Sequence, residues 1–275
     1  PCPAPLAIDA DTQTHPQAPG AMFAAGYADL KAKSPAGADW ILADRLGLHP
    51  IRQDVWELVQ VPLRDNLSDP TDVTRVFMGL AATGYAMQLC RDSRPASGAE
   101  HLMSHVWEME DLCFNGESVS HGFKVSLGTV VTTALFEQLF SLSVDEARRF
   151  AEPGLCRTAR EAEVDALLMR GCYGTEAKEI AMSKFLEGDA LRERREQLYD
   201  SWEFLREATQ RQLFPLAELR KKLEAAHCPV LPAQIGLPAG QFLHGVAAAQ
   251  LIRTRYTILD AVYELGLMKV LLQFL

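Results

Sequence analysis

From Ala21 to the end of the chain, apolar residues recur three and four apart, with Pro or Gly at the breaks, and the alternation of a half-buried strand is missing. That periodicity predicts an all-α protein. It places helices near 21–33, 36–47, 52–63, 71–91, 98–112, 121–141, 144–151, 158–168, 188–211, 215–226, 239–248 and 250–272. Asp69-Pro70-Thr71-Asp72 precedes one apolar run, and Ser97 precedes another with Glu100 three residues on, as in a capping box. The mixed charges of 186–224 read as a solvated face over a Leu, Trp and Phe stripe.

The first twenty residues break the pattern. Pro1, Pro3, Pro5, Pro16 and Pro19 forbid a helix, while Leu6, Ala7 and Ile8 suit a short strand before the turn-like DADTQ. A lone strand needs a sheet, and nothing later supplies one. The expected division is therefore 1–20, a remnant strand and linker, and 21–275, one multi-helical domain.

With 275 residues, 48% of them hydrophobic, the chain can bury a core without disulfide staples. Lys and Arg number 27 against 36 Asp and Glu, a formal charge of -9, which speaks against a sequence-blind hold on nucleic acid or anionic lipid. No apolar run reaches the ~20 residues that cross a bilayer, and the N-terminus has neither a basic start nor an apolar signal core. A cytoplasmic protein without a nucleic-acid or membrane partner is expected. The six cysteines, Cys2, Cys90, Cys113, Cys156, Cys172 and Cys228, show no CxxC spacing and read as reduced, structural thiols.

Chemistry concentrates in Ser93-Arg94-Pro95-Ala96-Ser97-Gly98-Ala99-Glu100-His101-Leu102-Met103-Ser104-His105, followed by His121-Gly122. On a helix His101 and His105 share a face one turn apart, and a chain reversal can aim His121 at the same point. A lone histidine is more often structural, but an HxxxH pair with a third histidine nearby favours a site. Two imidazoles and a carboxylate form an open ligand set for Zn2+, and related sets take Ni2+ or Fe2+. By pattern, the carboxylate is one of Asp29, Glu100, Glu108, Glu110 and Glu117, and spacing does not choose among them.

These residues resemble a known family. SRPASGAEHxxSHxWEM and the following HGxKVxLGT are similar to the C-terminal domain of sn-glycerol-1-phosphate dehydrogenases, within the dehydroquinate synthase-like and iron-dependent alcohol dehydrogenase superfamily. The resemblance extends upstream to Ala25-Gly26-Tyr27-Ala28-Asp29-Leu30-Lys31-Ala32-Lys33 and Ala38-Asp39-Trp40, and downstream to Arg253-Thr254-Arg255-Tyr256-Thr257-Ile258-Leu259-Asp260. It implies a metal on Asp29, His101 and His121, with His105 and Asp29 beside the substrate as catalytic residues. It also implies NAD or NADP as hydride partner, interconversion of dihydroxyacetone phosphate and sn-glycerol 1-phosphate, and a homo-oligomer.

Two features depart from the family. Phe123 stands where a polar residue is frequent, and the chain has no GxGxxG or similar pyrophosphate loop, so PLAIDAD reads as the last strand of an absent Rossmann-like domain that would carry the nucleotide. An HD-type phosphohydrolase needs a His-Asp dipeptide, which this sequence lacks. A catalytically inactive helical domain acting as a regulator or interaction module is the other reading. Arg94 and Ser97 are expected to bind a phosphorylated substrate, Ser97 by capping the His101 helix and Arg94 by supplying a fixed charge.

Overall fold

In the computed structural model the described residues are Ile8, 19–169, 171, 173–174 and 176–273. Most of the expected 1–20 segment, including Leu6 and Ala7 of its strand, lies outside them, as do Cys2 and Cys172. The described residues are all-α apart from one two-residue hairpin.

The centre is α7 (His121–Ser141), the span that the periodicity predicts. It is buried on nearly every side, as an all-round apolar helix must be. Against it lie α1 (Gly20–Lys31) and α6 (Ala99–Met109) near its N-terminus. The α6 and α7 helices are joined by β1 (Cys113–Phe114) and β2 (Glu117–Ser118), antiparallel with Cys113 opposite Ser118. Asn115 and Gly116 both have positive φ, 54° and 83°, the geometry an Asn-Gly hairpin turn favours.

Two glycines set how closely these helices meet. A Cβ on Gly122 would stand 2.2 Å from the carbonyl oxygen of Ala25 on α1, and one on Gly128 would stand 2.4 Å from that of Glu100 on α6. Glycine therefore brings the helices bearing Asp29 and His101 against the one that starts at His121.

Several expected helices divide where a side chain or a proline interrupts them. The α2 helix (Lys33–Arg45) follows α1 almost directly, and Pro35 in its first turn has no N–H to give to the preceding helix. The run 52–63 becomes α3 (Gln53–Val59) and α4 (Leu63–Asn66) on either side of Pro62. Beyond these, α5 (Val73–Cys90) starts as expected, with the Asp72 carboxylate accepting the Arg75 N–H at 3.0 Å.

After α7 come α8 (Val144–Phe150), α9 (Arg157–Leu168) and α10 (Ala177–Ser183), the last too short to stand out by periodicity. The expected 188–211 helix is α11 (Gly188–Asp200) and α12 (Trp202–Gln212), separated at buried Ser201, whose hydroxyl accepts from Arg45. Leu198, Trp202 and Leu205 form its buried stripe, whereas Phe204 is exposed. Then follow α13 (Leu216–Ala225) and α14 (Ala239–Ala249).

The expected helix 250–272 is the largest correction. It comprises an irregular stretch, then α15 (Ile258–Glu264) and α16 (Met268–Leu272). The Gln250 and Tyr256 carbonyls accept from Lys184 and Arg94 instead of from the next helical turn, and Thr257 with Asp260 starts α15 as a capping box. The thiols also differ from expectation: Cys228 is buried, but Cys113 and Cys156 are exposed.

Among the described residues no single helix is long and apolar enough to cross a membrane.

Candidate metal centre

The buried carboxylate of Asp39, on α2, joins two helix starts. One oxygen accepts the Ala99 N–H at 2.7 Å and the other accepts the Ile258 N–H at 2.6 Å. The first residue of α6 is thus tied to α2, and α15 to the same side chain. Burial and the neighbouring Glu100 push the Asp39 carboxyl up to about 8, against the pull of those two amides.

This arrangement corrects the expected cap. Gly98, not Ser97, precedes α6, and no side chain caps it in the ordinary way. Glu100 instead turns back, one oxygen accepting the Gly98 N–H at 2.7 Å and meeting His101 Nδ1 at 2.8 Å. A carboxylate only accepts, so the ring turns an N–H to each side, Nδ1 donating to Glu100 and Nε2 to Asp29 Oδ1 at 2.9 Å, and an ion on Nε2 would take the place of the second hydrogen. Carboxylates behind ligating imidazoles commonly fix the ring in this manner.

Asp29 is also paired with Lys33, whose buried ammonium reaches both carboxylate oxygens at 3.2 Å and donates to the Ala96 carbonyl at 2.9 Å. Burial pushes Asp29 up, but Lys33 and the bond from His101 outweigh it and hold the carboxyl well below the usual carboxylate range. Burial and Lys33 push His101 down, and its contacts with Asp29 and Glu100 outweigh them and raise it. The His101 ring is buried, while a quarter of the Asp29 side chain remains exposed.

His121, at the first turn of α7, completes the cluster. One ligand atom each from Asp29, His101 and His121 lies within 4.8 Å of the other two, a separation one ion can close. The His101 and His121 rings are 5.4 Å apart. His105 lies alongside, its ring 6.4 Å from His101 and 5.7 Å from His121. Burial pushes His105 down despite the hydrogen bond to Glu108.

Glu108 meets His121 Nδ1 at 2.8 Å and His105 Nδ1 at 3.1 Å, and Lys124 Nζ stands 3.3 Å from the oxygen that holds His121. Burial pushes Glu108 up, but these three partners outweigh it and bring it down to about 2. His105, Glu108 and His121 form a second group with ligand atoms within 4.8 Å of one another. The donor set, two imidazoles and an ionised carboxylate meeting at a partly open point, fits a divalent ion such as zinc.

The other acids fall elsewhere. Glu110 pairs with His244 and accepts from Tyr173, and Glu117 sits in the exposed hairpin. Arg94 is buried, with Nη1 donating to the Tyr256 carbonyl at 2.8 Å and Nη2 unpartnered; burial brings its guanidinium down to about 10. Ser97 is buried, and its carbonyl accepts from Arg255, which also holds Ser93 and Asp92. The Arg253–Asp260 stretch thus clamps the turn before α6.

Sequence reasoning missed the roles of Lys33, Asp39 and Glu108. The signal for Glu108 was present, since 101, 105 and 108 lie on one helical face. Nothing in the spacing announces that Asp39 meets two helix starts, because its partners are 60 and 219 residues away.

No protein-family model matches the chain. It is 38% identical over 145 residues to a glycerol-1-phosphate dehydrogenase (NAD(P)+) of Geobacillus thermodenitrificans, covering 50% of this chain and 36% of that protein. A protein of the same name from Halalkalibacterium halodurans is 33% identical over 142 residues, 49% of this chain and 36% of the relative. Another from Pyrobaculum arsenaticum is 34% identical over 172 residues, 59% of this chain and 49% of the relative. The chain therefore spans between about a third and a half of the curated relatives it matches.

Proposed function

From a chain related over about half its length to proteins named glycerol-1-phosphate dehydrogenase, we propose the metal- and substrate-binding part of an NAD(P)-dependent oxidoreductase interconverting dihydroxyacetone phosphate and sn-glycerol 1-phosphate. The observation that carries this reading is the convergence of Asp29, His101 and His121 from three helices upon one point. In this reading those three hold a divalent ion, zinc by preference, which when bound supplies Lewis acidity toward a substrate oxygen.

The chain's own residues do the rest. Lys33 keeps Asp29 ionised and fixed in direction. Glu100 presents His101 by one nitrogen only. His105, pushed down toward neutrality of its ring, accepts or returns the proton of a substrate hydroxyl. A nicotinamide nucleotide, as in the relatives' names, takes or gives the hydride. We place the protein in the cytoplasm and expect a homo-oligomer.

The test is metal analysis after dialysis joined to a dehydrogenase assay with dihydroxyacetone phosphate and either nucleotide. His101→Ala should lose metal and His105→Ala should keep it while losing turnover. Equal metal loss in the two would refute the assignment of the ligands. Absence of stoichiometric metal in the parent chain would favour a regulatory helical module.

A further inference from the structure

We propose that Glu108 is a positioning residue that holds His105 and His121 in one tautomer, hydrogen on Nδ1 and lone pair on Nε2, so that a metal ligand and a proton-handling group are set by a single carboxylate. The proposal rests on the reading of His121 and His105 given above.

The geometry is a fork. Glu108 Oε1 faces His121 Nδ1 at 2.8 Å and Oε2 faces His105 Nδ1 at 3.1 Å. A carboxylate has no hydrogen to give, so each neutral ring must turn its N–H toward it. Lys124, buried on α7, stands 3.3 Å from Oε1 and keeps the negative charge in place without reaching either ring in the bonds observed. The Glu100 contact on His101 has the same form, Nδ1 against a carboxylate oxygen. Nδ1 of all three imidazoles is thus turned to a glutamate, Glu108 for two of them and Glu100 for the third.

An amide in place of the carboxylate breaks the symmetry of the fork. Glu108→Gln keeps one acceptor oxygen but offers an NH2 on the other side, so only one of the two rings can still donate to it. When zinc occupies Nε2 of His121, that ring keeps its Nδ1–H, and the ring obliged to convert is His105.

The experiment uses the full chain with 15N-labelled histidine, metal-free and with Zn2+ alone as the probe. Long-range 15N–1H spectra read which ring nitrogen carries hydrogen, above the pH range of imidazole titration. Expected are Nδ1–H on His105 and His121 in the parent chain, conversion of one ring in metal-free Glu108→Gln, and conversion of His105 in its zinc form. Chelator competition should show zinc affinity falling about 10–100-fold, with partial recovery in Glu108→Asp. Nε2–H on both rings in the parent, or tautomers unchanged by Glu108→Gln in a variant whose thermal melt stays cooperative, would overturn the proposal. So would two zinc ions per chain with Glu108 as a ligand of the second. The metal-free spectra decide the tautomers whether or not His101→Ala loses metal, which separates this proposal from the assignment of the ligands.

Discussion

His101 and His244 are both buried histidines facing a glutamate, yet they stand in regions of opposite character. Around His244 every direction is closed. Nε2 meets the Leu167 carbonyl at 2.8 Å, Nδ1 meets Glu110 at 2.5 Å, and Glu110 also takes the Tyr173 hydroxyl at 2.9 Å. The Nδ1 contact lacks hydrogen-bond alignment, and both buried ring nitrogens face oxygen at short range, so neither is directed at a further partner near solvent. At His101 only Nδ1 is spent on a glutamate. Its other nitrogen looks toward Asp29, with His121 and His105 at the rim and both partly exposed. A His–Glu contact thus says little by itself. What separates a site from a strut is whether a second nitrogen remains directed at other donors near solvent.

The largest expected effects come from deleting each ring. His244→Ala leaves Glu110 buried beside Tyr173 without its partner, so unfolding stability should fall by about 3–5 kcal/mol while metal content holds. His101→Ala should instead abolish the stabilisation that metal confers, about 2.7 kcal/mol when metal is a hundredfold above its dissociation constant. Urea unfolding of both variants with and without Zn2+ reads the crossing. If zinc still stabilises His101→Ala as it does the parent, the distinction between the two regions collapses.

A smaller effect tests how the open region is assembled. Gly128 lets α7 lie against α6 at Glu100, so a methyl there must push the His101 helix away from the helix that starts at His121. Gly128→Ala should cost about 1–3 kcal/mol and weaken metal binding together. Gly84 on α5 has nothing within 4 Å of its would-be Cβ, and Gly84→Ala should gain about 0.5–1 kcal/mol with metal affinity unchanged. Loss of stability in Gly128→Ala at full metal affinity would mean that the site does not depend on the close approach of the two helices.

How much of this was legible depends on whether the determinants are local. The bounds of α7 follow from Ser120, which caps it, and from an apolar run that ends at Ser141, so 121–141 emerges from the sequence unaided. The three histidines announce themselves by spacing. The choice of Asp29 among five acids does not, because it depends on α1 crossing α7 at Gly122, a packing event absent from local pattern. The same holds for the stretch 250–257, which reads as helix until Lys184 and Arg94 claim its carbonyls from elsewhere in the chain. Ser97 looks like a cap because its type and position suit one. An amide of the helix start it was expected to cap, that of Ala99, is taken by Asp39, contributed by a helix that no local rule connects to it.

The open cluster and the buried end of α15 should also respond to pH with opposite sign. Glu108, in the open cluster, is held low by His121, His105 and Lys124 against its burial, so its contribution to stability is present above the ordinary glutamate range and is lost as pH falls toward about 2. Glu264, buried on α15, is raised to about 7 by burial, which outweighs the Tyr256 hydroxyl and Arg194 that favour its charge, with Asp260 adding to the rise and Lys184 opposing it. A carboxyl whose folded value exceeds its unfolded one binds more proton when folded. Its contribution is therefore whole below the unfolded value and declines as pH rises through about 7, with a slope of at most about 1.4 kcal/mol per pH unit. Glu264→Gln removes the titration while keeping a group that can accept from Tyr256. Urea unfolding from pH 5 to 7.5 should show the parent losing stability more steeply than Glu264→Gln, by about 1 kcal/mol per unit. Parallel profiles would mean that Arg194 and Tyr256 offset the burial of Glu264, and that its site on α15 tolerates charge as readily as the open cluster does that of Glu108.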